Sequence, residues 1–152
     1  SFIRIDYQDE CRSRLRMEGY SEAIGEFHPP RIIEVPYEHG TSAAEYGAKG
    51  LVKILEKWPD TDAIMCANDS LAMGVWCEAM RRGISIPEKI ALTGFGDFEL
   101  AGAAALGLTT VQIDGYQMGK ITAELIHNYY SGGIDVPTIT DIHFKIIERH
   151  SA

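Results

Sequence analysis

Short apolar runs alternate along this chain with stretches whose apolar residues recur every three or four positions. The run over 2–6 predicts a strand. Over 10–27, Cys11, Leu15, Met17, Ile24 and Phe27 fall at rough helical spacing, and Pro29-Pro30 ends the segment. Residues 31–36 read as a second strand. Ser42 followed by Glu45 has the form of a capping box, so a helix starts there, with Tyr46, Leu51, Ile54, Leu55 and Trp58 near its buried face. A third strand is predicted over 62–67. A helix over 69–82 follows, with Asp69 as its N-cap and Gly83 as its stop. The fourth strand is expected over 89–95, one or two Ala-rich helical turns over 99–105, and a fifth strand over 108–113. An amphipathic helix over 116–131 carries Met118, Ile121, Leu125, Ile126 and Tyr129 and closes at Gly132-Gly133. Residues 142–147 alternate like a strand at a sheet edge or one crossing between lobes.

Repeated strand–helix units predict an α/β fold: a mainly parallel sheet with helices on both faces. The 152 residues suffice for one domain with a real core. The pattern changes near Asp114-Gly115, which divides the chain into 1–113 and 114–152. No run approaches the ~18 apolar residues of a membrane span, so no membrane partner is expected. The formal net charge of −8 repels phosphate backbones, so the chain should not bind nucleic acid by itself. Cys11, Cys66 and Cys77 lack metal-ligand spacing and read as buried free thiols, which fits a reducing cytoplasm.

The richest stretch is 84–97, Ile-Ser-Ile-Pro-Glu-Lys-Ile-Ala-Leu-Thr-Gly-Phe-Gly-Asp. It reads as a buried parallel strand that delivers Asp97 to the sheet edge, where open α/β sheets bind ligands. Asp97 either accepts hydrogen bonds from a ligand or caps the next turn. Asn68, straight after the third strand, offers donor and acceptor to a ligand, or caps the following helix. Phe98 and Phe95 could stack on a sugar ring, with Phe95 the better core residue. Arg12, Arg14 and Arg16 cluster on the first helix. A guanidinium there could grip a carboxylate, or all three could be solvated surface. Ser42 and Tyr46 face the same end of the sheet. Gln112 and Ile113 either reach the cleft or sit at a sheet edge. No Gly-x-Ser-x-Gly elbow, phosphate-cradling glycine loop or His-Glu-x-x-His helix is present, and Asp9-Glu10 suits a helix start better than acid–base work. No enzyme activity, metal or cofactor is expected.

Four segments in order resemble the effector-binding core of the LacI/GalR family of transcriptional regulators. They are Arg16-x-x-Gly19-Tyr20, Ala63-Ile-Met-Cys-Ala-Asn-Asp-Ser-Leu-Ala-Met-Gly74, Gly83 to Asp97, and Leu108-Thr-Thr-Val-Gln112 with Met118-Gly119. The resemblance implies a type I periplasmic-binding-protein-like lobe that binds a sugar or sugar acid between two lobes. It also implies dimerisation through this C-terminal lobe, and DNA binding only through a helix-turn-helix headpiece outside this chain. Residues 1–113 would form the C-terminal lobe, and 114–152 crossing segments and a helix that packs on an N-terminal lobe. Arg16, Asn68, Asp97, Phe98, Ser42 and Tyr46 become the expected ligand residues, whereas Arg12 and Arg14 are left to solvent. The family's Gly-Phe-Asp-Asp is here Gly94-Phe95-Gly96-Asp97. Losing that first carboxylate beside Arg16 favours an acid over a neutral sugar, and the form resembles gluconate-type repressors. Two rival readings are a periplasmic sugar receptor and a flavodoxin-like domain whose last helix packs on its own sheet.

Overall fold

A computed structural model describes residues 1–6, 11–102, 107–132, 137 and 139–152. The elements, in chain order, are β1 (Phe2–Asp6), α1 (Cys11–Gly25), β2 (Ile32–Pro36), α2 (Ala43–Lys57), β3 (Ala63–Cys66) and α3 (Asp69–Arg81), followed by β4 (Ala91–Thr93), α4 (Glu99–Gly102), β5 (Thr110–Gln112), α5 (Gly115–Tyr130) and β6 (Lys145–Ile147). The positions expected at Asp9-Glu10, the end of the 99–105 helix and Gly133 fall outside the described residues.

Strands β2-β1-β3-β4 form a parallel sheet in that order. Phe2 lies beside both Ile32 and Met65, and Ile64 beside Leu92. Right-handed crossovers on this order put α1 on one face and the mutually packed α2 and α3 on the other. Strands β3 and β4 are nearly continuous apolar runs because both faces are covered, while Arg4 of β1 donates to Glu34 of β2 at 2.8 Å. Phe2, Ile3, Leu51, Ile54, Ile64, Leu71, Val75 and Leu92 are wholly buried.

Local chemistry sets the helix ends. The Ser42 hydroxyl accepts from the Glu45 amide at 3.3 Å, and the Glu45 carboxylate accepts from the Ser42 amide at 2.7 Å, completing the expected capping box. At the end of α3, Gly83 has φ +68; its N–H donates to Met80 and that of Ile84 to Ala79, which is a Schellman closure. The start of α3 differs from expectation: Asn68 is the N-cap, its Oδ1 accepting from the Leu71 amide at 2.9 Å, while Asp69 is buried one position later. Two glycines let α2 and α3 approach backbone to backbone. A Cβ on Gly74 would run into the Ala44 carbonyl, and one on Gly47 into the Leu71 carbonyl.

Two further expectations are corrected. Helix α1 does not pack through Leu15 and Phe27, which are exposed; its covered side runs through Ser13, Met17, Tyr20 and Ile24. Cys11 and Cys77 are exposed, and only Cys66 is buried. The fifth strand forms as expected over part of its range, Thr110–Gln112. Strand β5 pairs antiparallel with β6 and meets the β4 side through two parallel bridges, Thr93–Thr109 and Gly96–Gln112, because the chain turns through positive φ at Gly96 and Asp97.

Helix α5 buries none of its residues, and Tyr116, Met118, Ile126, Tyr129 and Tyr130 stand exposed, so it does not pack on this sheet as a flavodoxin-like domain requires. The end of the chain returns to the parallel-sheet body. Ser151 is fully buried: its amide donates to Gly107, its hydroxyl to Leu92 at 2.6 Å, and its carbonyl accepts from the Leu92 amide at 2.7 Å. The last residues therefore belong to the 1–113 body.

Candidate functional site

Parallel strands end together, and the loops that leave them enclose the crevice in which such sheets hold ligands. A cavity of about 500 Å³ lies there. Ile5 of β1, Ala67 and Asn68 after β3, and Phe95, Gly96 and Phe98 after β4 form its base. The first turns of α1 and α2 wall it with Arg12, Ser13, Arg16, Ala43 and Tyr46, and Ile113 and Met118 reach it from the β5–α5 side.

Four of the six expected ligand residues line this cavity: Arg16, Asn68, Phe98 and Tyr46. Arg16 lies flat on Phe95, its guanidinium carbon 3.6 Å from the ring centroid, and donates to the Ala67 carbonyl at 2.7 Å. A guanidinium laid on a ring presents its N–H edge, the geometry that meets a carboxylate with two parallel hydrogen bonds. Phe95 thus lies two residues past β4 and floors the cavity. Capping α3 uses the Asn68 oxygen and leaves its amide nitrogen as a donor at the cavity, so the cap does not exclude a ligand contact. Tyr46 contributes a wall and no free hydroxyl: its oxygen accepts from the Glu38 amide at 2.5 Å and donates to the Glu38 carbonyl at 2.6 Å.

Ser42 and Asp97 are not among the lining residues. Ser42 is occupied as the α2 cap, and its neighbours Thr41 and Ala43 line the cavity instead. Asp97 has φ +50, which turns its side chain away; its carboxylate holds Arg149 at 2.7 Å and accepts from Gln112 Nε2 at 2.7 Å. Of the two crossing residues, Ile113 reaches the cavity and Gln112 serves Asp97. Arg12, assigned to solvent from the sequence, lines the cavity with Arg16. Their i, i+4 spacing places both on one helix face, which was the available signal. Arg14 does face outward, paired with Glu18 at 2.7 Å. Tyr37 and Thr41 were also missed; each sits in a loop with no periodic pattern.

Among the described lining residues the charge of the site is one-sided. Two arginines line it, and none of its described lining residues is an aspartate or glutamate. The nearby Asp69 is turned into the fold, accepting from the Phe98 amide at 2.8 Å and from Thr110 Oγ1 at 2.6 Å. Burial, and then the Asp69 charge, push the Cys66 thiol well above its ordinary range, so it is no nucleophile. No group of three or more His, Cys, Asp or Glu among the described residues could hold a metal, and no described helix is long and apolar enough to cross a membrane.

Comparison with known proteins agrees with this geometry. Residues 2–152 match the family model of the periplasmic binding protein-like domain. The HTH-type transcriptional regulator GntR of Pseudomonas aeruginosa is 29% identical over 150 residues, covering 97% of this chain and 43% of that protein. AscG of Escherichia coli is 28% identical, over 94% of this chain and 42% of its own length. The crystal structure of transcription regulator GntR from Chromobacterium violaceum superposes with TM-score 0.87 at 28% identity, covering 99% of this chain and 55% of that one. The chain belongs to the periplasmic binding protein-like domain family. A LacI family transcriptional regulator from Silicibacter pomeroyi superposes with TM-score 0.83 at 28% identity, covering 99% of this chain and 54% of that one, and these relatives are all transcriptional regulators. The chain spans less than half the length of the curated relatives it matches.

Proposed function

We propose that this chain senses a sugar acid, gluconate being the specific candidate, for a LacI-type repressor. The presence of Arg12 and Arg16, with no carboxylate among the described lining residues, is the observation that supports an anionic ligand over a neutral one. The ligand carboxylate meets the Arg16 edge, its hydroxyls meet Asn68 and Thr41, and Phe98 covers its carbon skeleton. The exposed apolar side of α5 receives a second lobe, which closes the cleft from above. Ligand that fits one lobe arrangement better than the other shifts their relative angle. In a cytoplasmic homodimer joined through this lobe, that angle sets the separation of two DNA-binding headpieces.

Isothermal titration of the full-length gene product with gluconate and with glucose tests the reading. Gluconate should bind and stabilise the native state, as any native-state ligand must. Binding of glucose with no response to gluconate would remove the case for an acid site.

A further inference from the structure

The loop between β2 and α2 supplies Tyr37 and Thr41 to the cavity wall, yet residues 36–40 are exposed. Water competes for backbone groups in such a loop, so holding one shape requires an anchor on the body. Residues 38–41 close a turn. The Thr41 amide donates to the Glu38 carbonyl at 3.2 Å, and Gly40 has φ +83, the positive value that the third position of a type II turn requires. Tyr46 of α2, only 1% exposed and part of the apolar core, grips the root of that turn. Its hydroxyl accepts from the Glu38 amide at 2.5 Å and donates to the Glu38 carbonyl at 2.6 Å, so one oxygen holds both backbone groups of one residue. The Tyr37 ring stacks on the Tyr46 ring, with centroids 6.4 Å apart and planes 27° apart. Lys49 Nζ also meets the Glu38 carboxylate at 2.6 Å, but both side chains are exposed and such a pair adds little.

From this we infer that Tyr46 is a positioning residue: its hydroxyl presets the 37–41 loop and sets ligand affinity through Thr41 and Tyr37, by an oxygen that the ligand does not touch. A wall already ordered in the free protein spares the ligand the cost of ordering it. Loss of that one oxygen loosens the wall while the buried ring stays in the core. The inference rests on the acid-site reading for its ligand, and on hydrogen bonding alone for the loop.

Two measurements on the full-length gene product, comparing the wild type with Tyr46→Phe, separate these parts. Hydrogen exchange without ligand follows the peptide covering 37–42 beside those covering β3 and β4. Exchange over 37–42 should speed about 10-fold or more, as expected for the loss of two modest hydrogen bonds, while the strands change much less. Equal acceleration in the strands would show a general loss of stability, and none over 37–42 would show a loop held by other means; either overturns the anchor. Titration with gluconate should then show affinity lowered about 5-fold or more, from the cost of ordering the loop on binding. An unchanged affinity in Tyr46→Phe, with gluconate still bound by the wild type, would overturn the positioning role and leave the acid site standing. Failure of the wild type to bind gluconate would overturn the acid site, and the exchange comparison would still decide the anchor.

Discussion

Thr110 Oγ1 donates to the buried Asp69 carboxylate at 2.6 Å, joining the first turn of α3 to β5 across 41 residues of sequence. The same carboxylate accepts the Phe98 amide, so one side chain holds together the three segments that build the cleft. Asp69→Ala leaves two donors without their acceptor and should destabilise the fold by about 3 kcal/mol. Urea denaturation measures it, and a change under 1 kcal/mol would contradict the central place given to this group.

The contact of α2 with α3 depends on missing side chains. Gly74→Ala drives a methyl into the Ala44 carbonyl and should cost about 3 kcal/mol. Gly19→Ala in α1 has nothing within 4 Å of the added Cβ and should stabilise by about 0.5–1 kcal/mol. The opposite signs of two identical substitutions, read by thermal melting, check that the close approach is real.

Hydrogen bonds from Arg81 and then Arg82 hold the Glu78 carboxyl down at about 2. Its unfolded value is about 4.3. A carboxyl depressed in the folded state stabilises above the unfolded pKa and loses that contribution as pH falls through the folded one. The stability difference between the wild type and Glu78→Gln should therefore be full at pH 6 and shrink between about pH 4 and pH 2. A difference that stays constant through that window would rule out the pairing.

Arg16→Ala should abolish the thermal stabilisation produced by the acid ligand while leaving the unliganded fold intact. Arg12→Ala should weaken it, and Arg14→Ala, bound outward to Glu18, should leave it unchanged. Arg16→Lys should recover little, because an ammonium supplies neither the flat stack on Phe95 nor the paired N–H edge. Equal responses from Arg14→Ala and Arg16→Ala would show that the helix as a whole, not its cleft side, carries the effect.

Much of the fold was legible because it is written in local signals. Ser42 with Glu45 marked the start of α2, Gly83 the stop of α3, and the apolar runs marked the strands. The site was legible to the level of the strand end that carries each residue. Direction was not. Asp97 lies just past β4 as its position predicts, yet a left-handed backbone turns it toward Arg149, 52 residues later. Asp69 looks like a cap in sequence because Asn68 and Asp69 are both good caps, and only burial of the second separates them. Arg12 needed the helix phase relative to the cleft, which three closely spaced arginines cannot define alone.

Ser151 takes both backbone hydrogen-bonding groups of Leu92, so the β4 margin at Leu92 is closed only by a residue 59 positions later. On a ribosome, everything from β1 to β5 emerges first and must wait with an unfinished margin, an invitation to wrong strand partners.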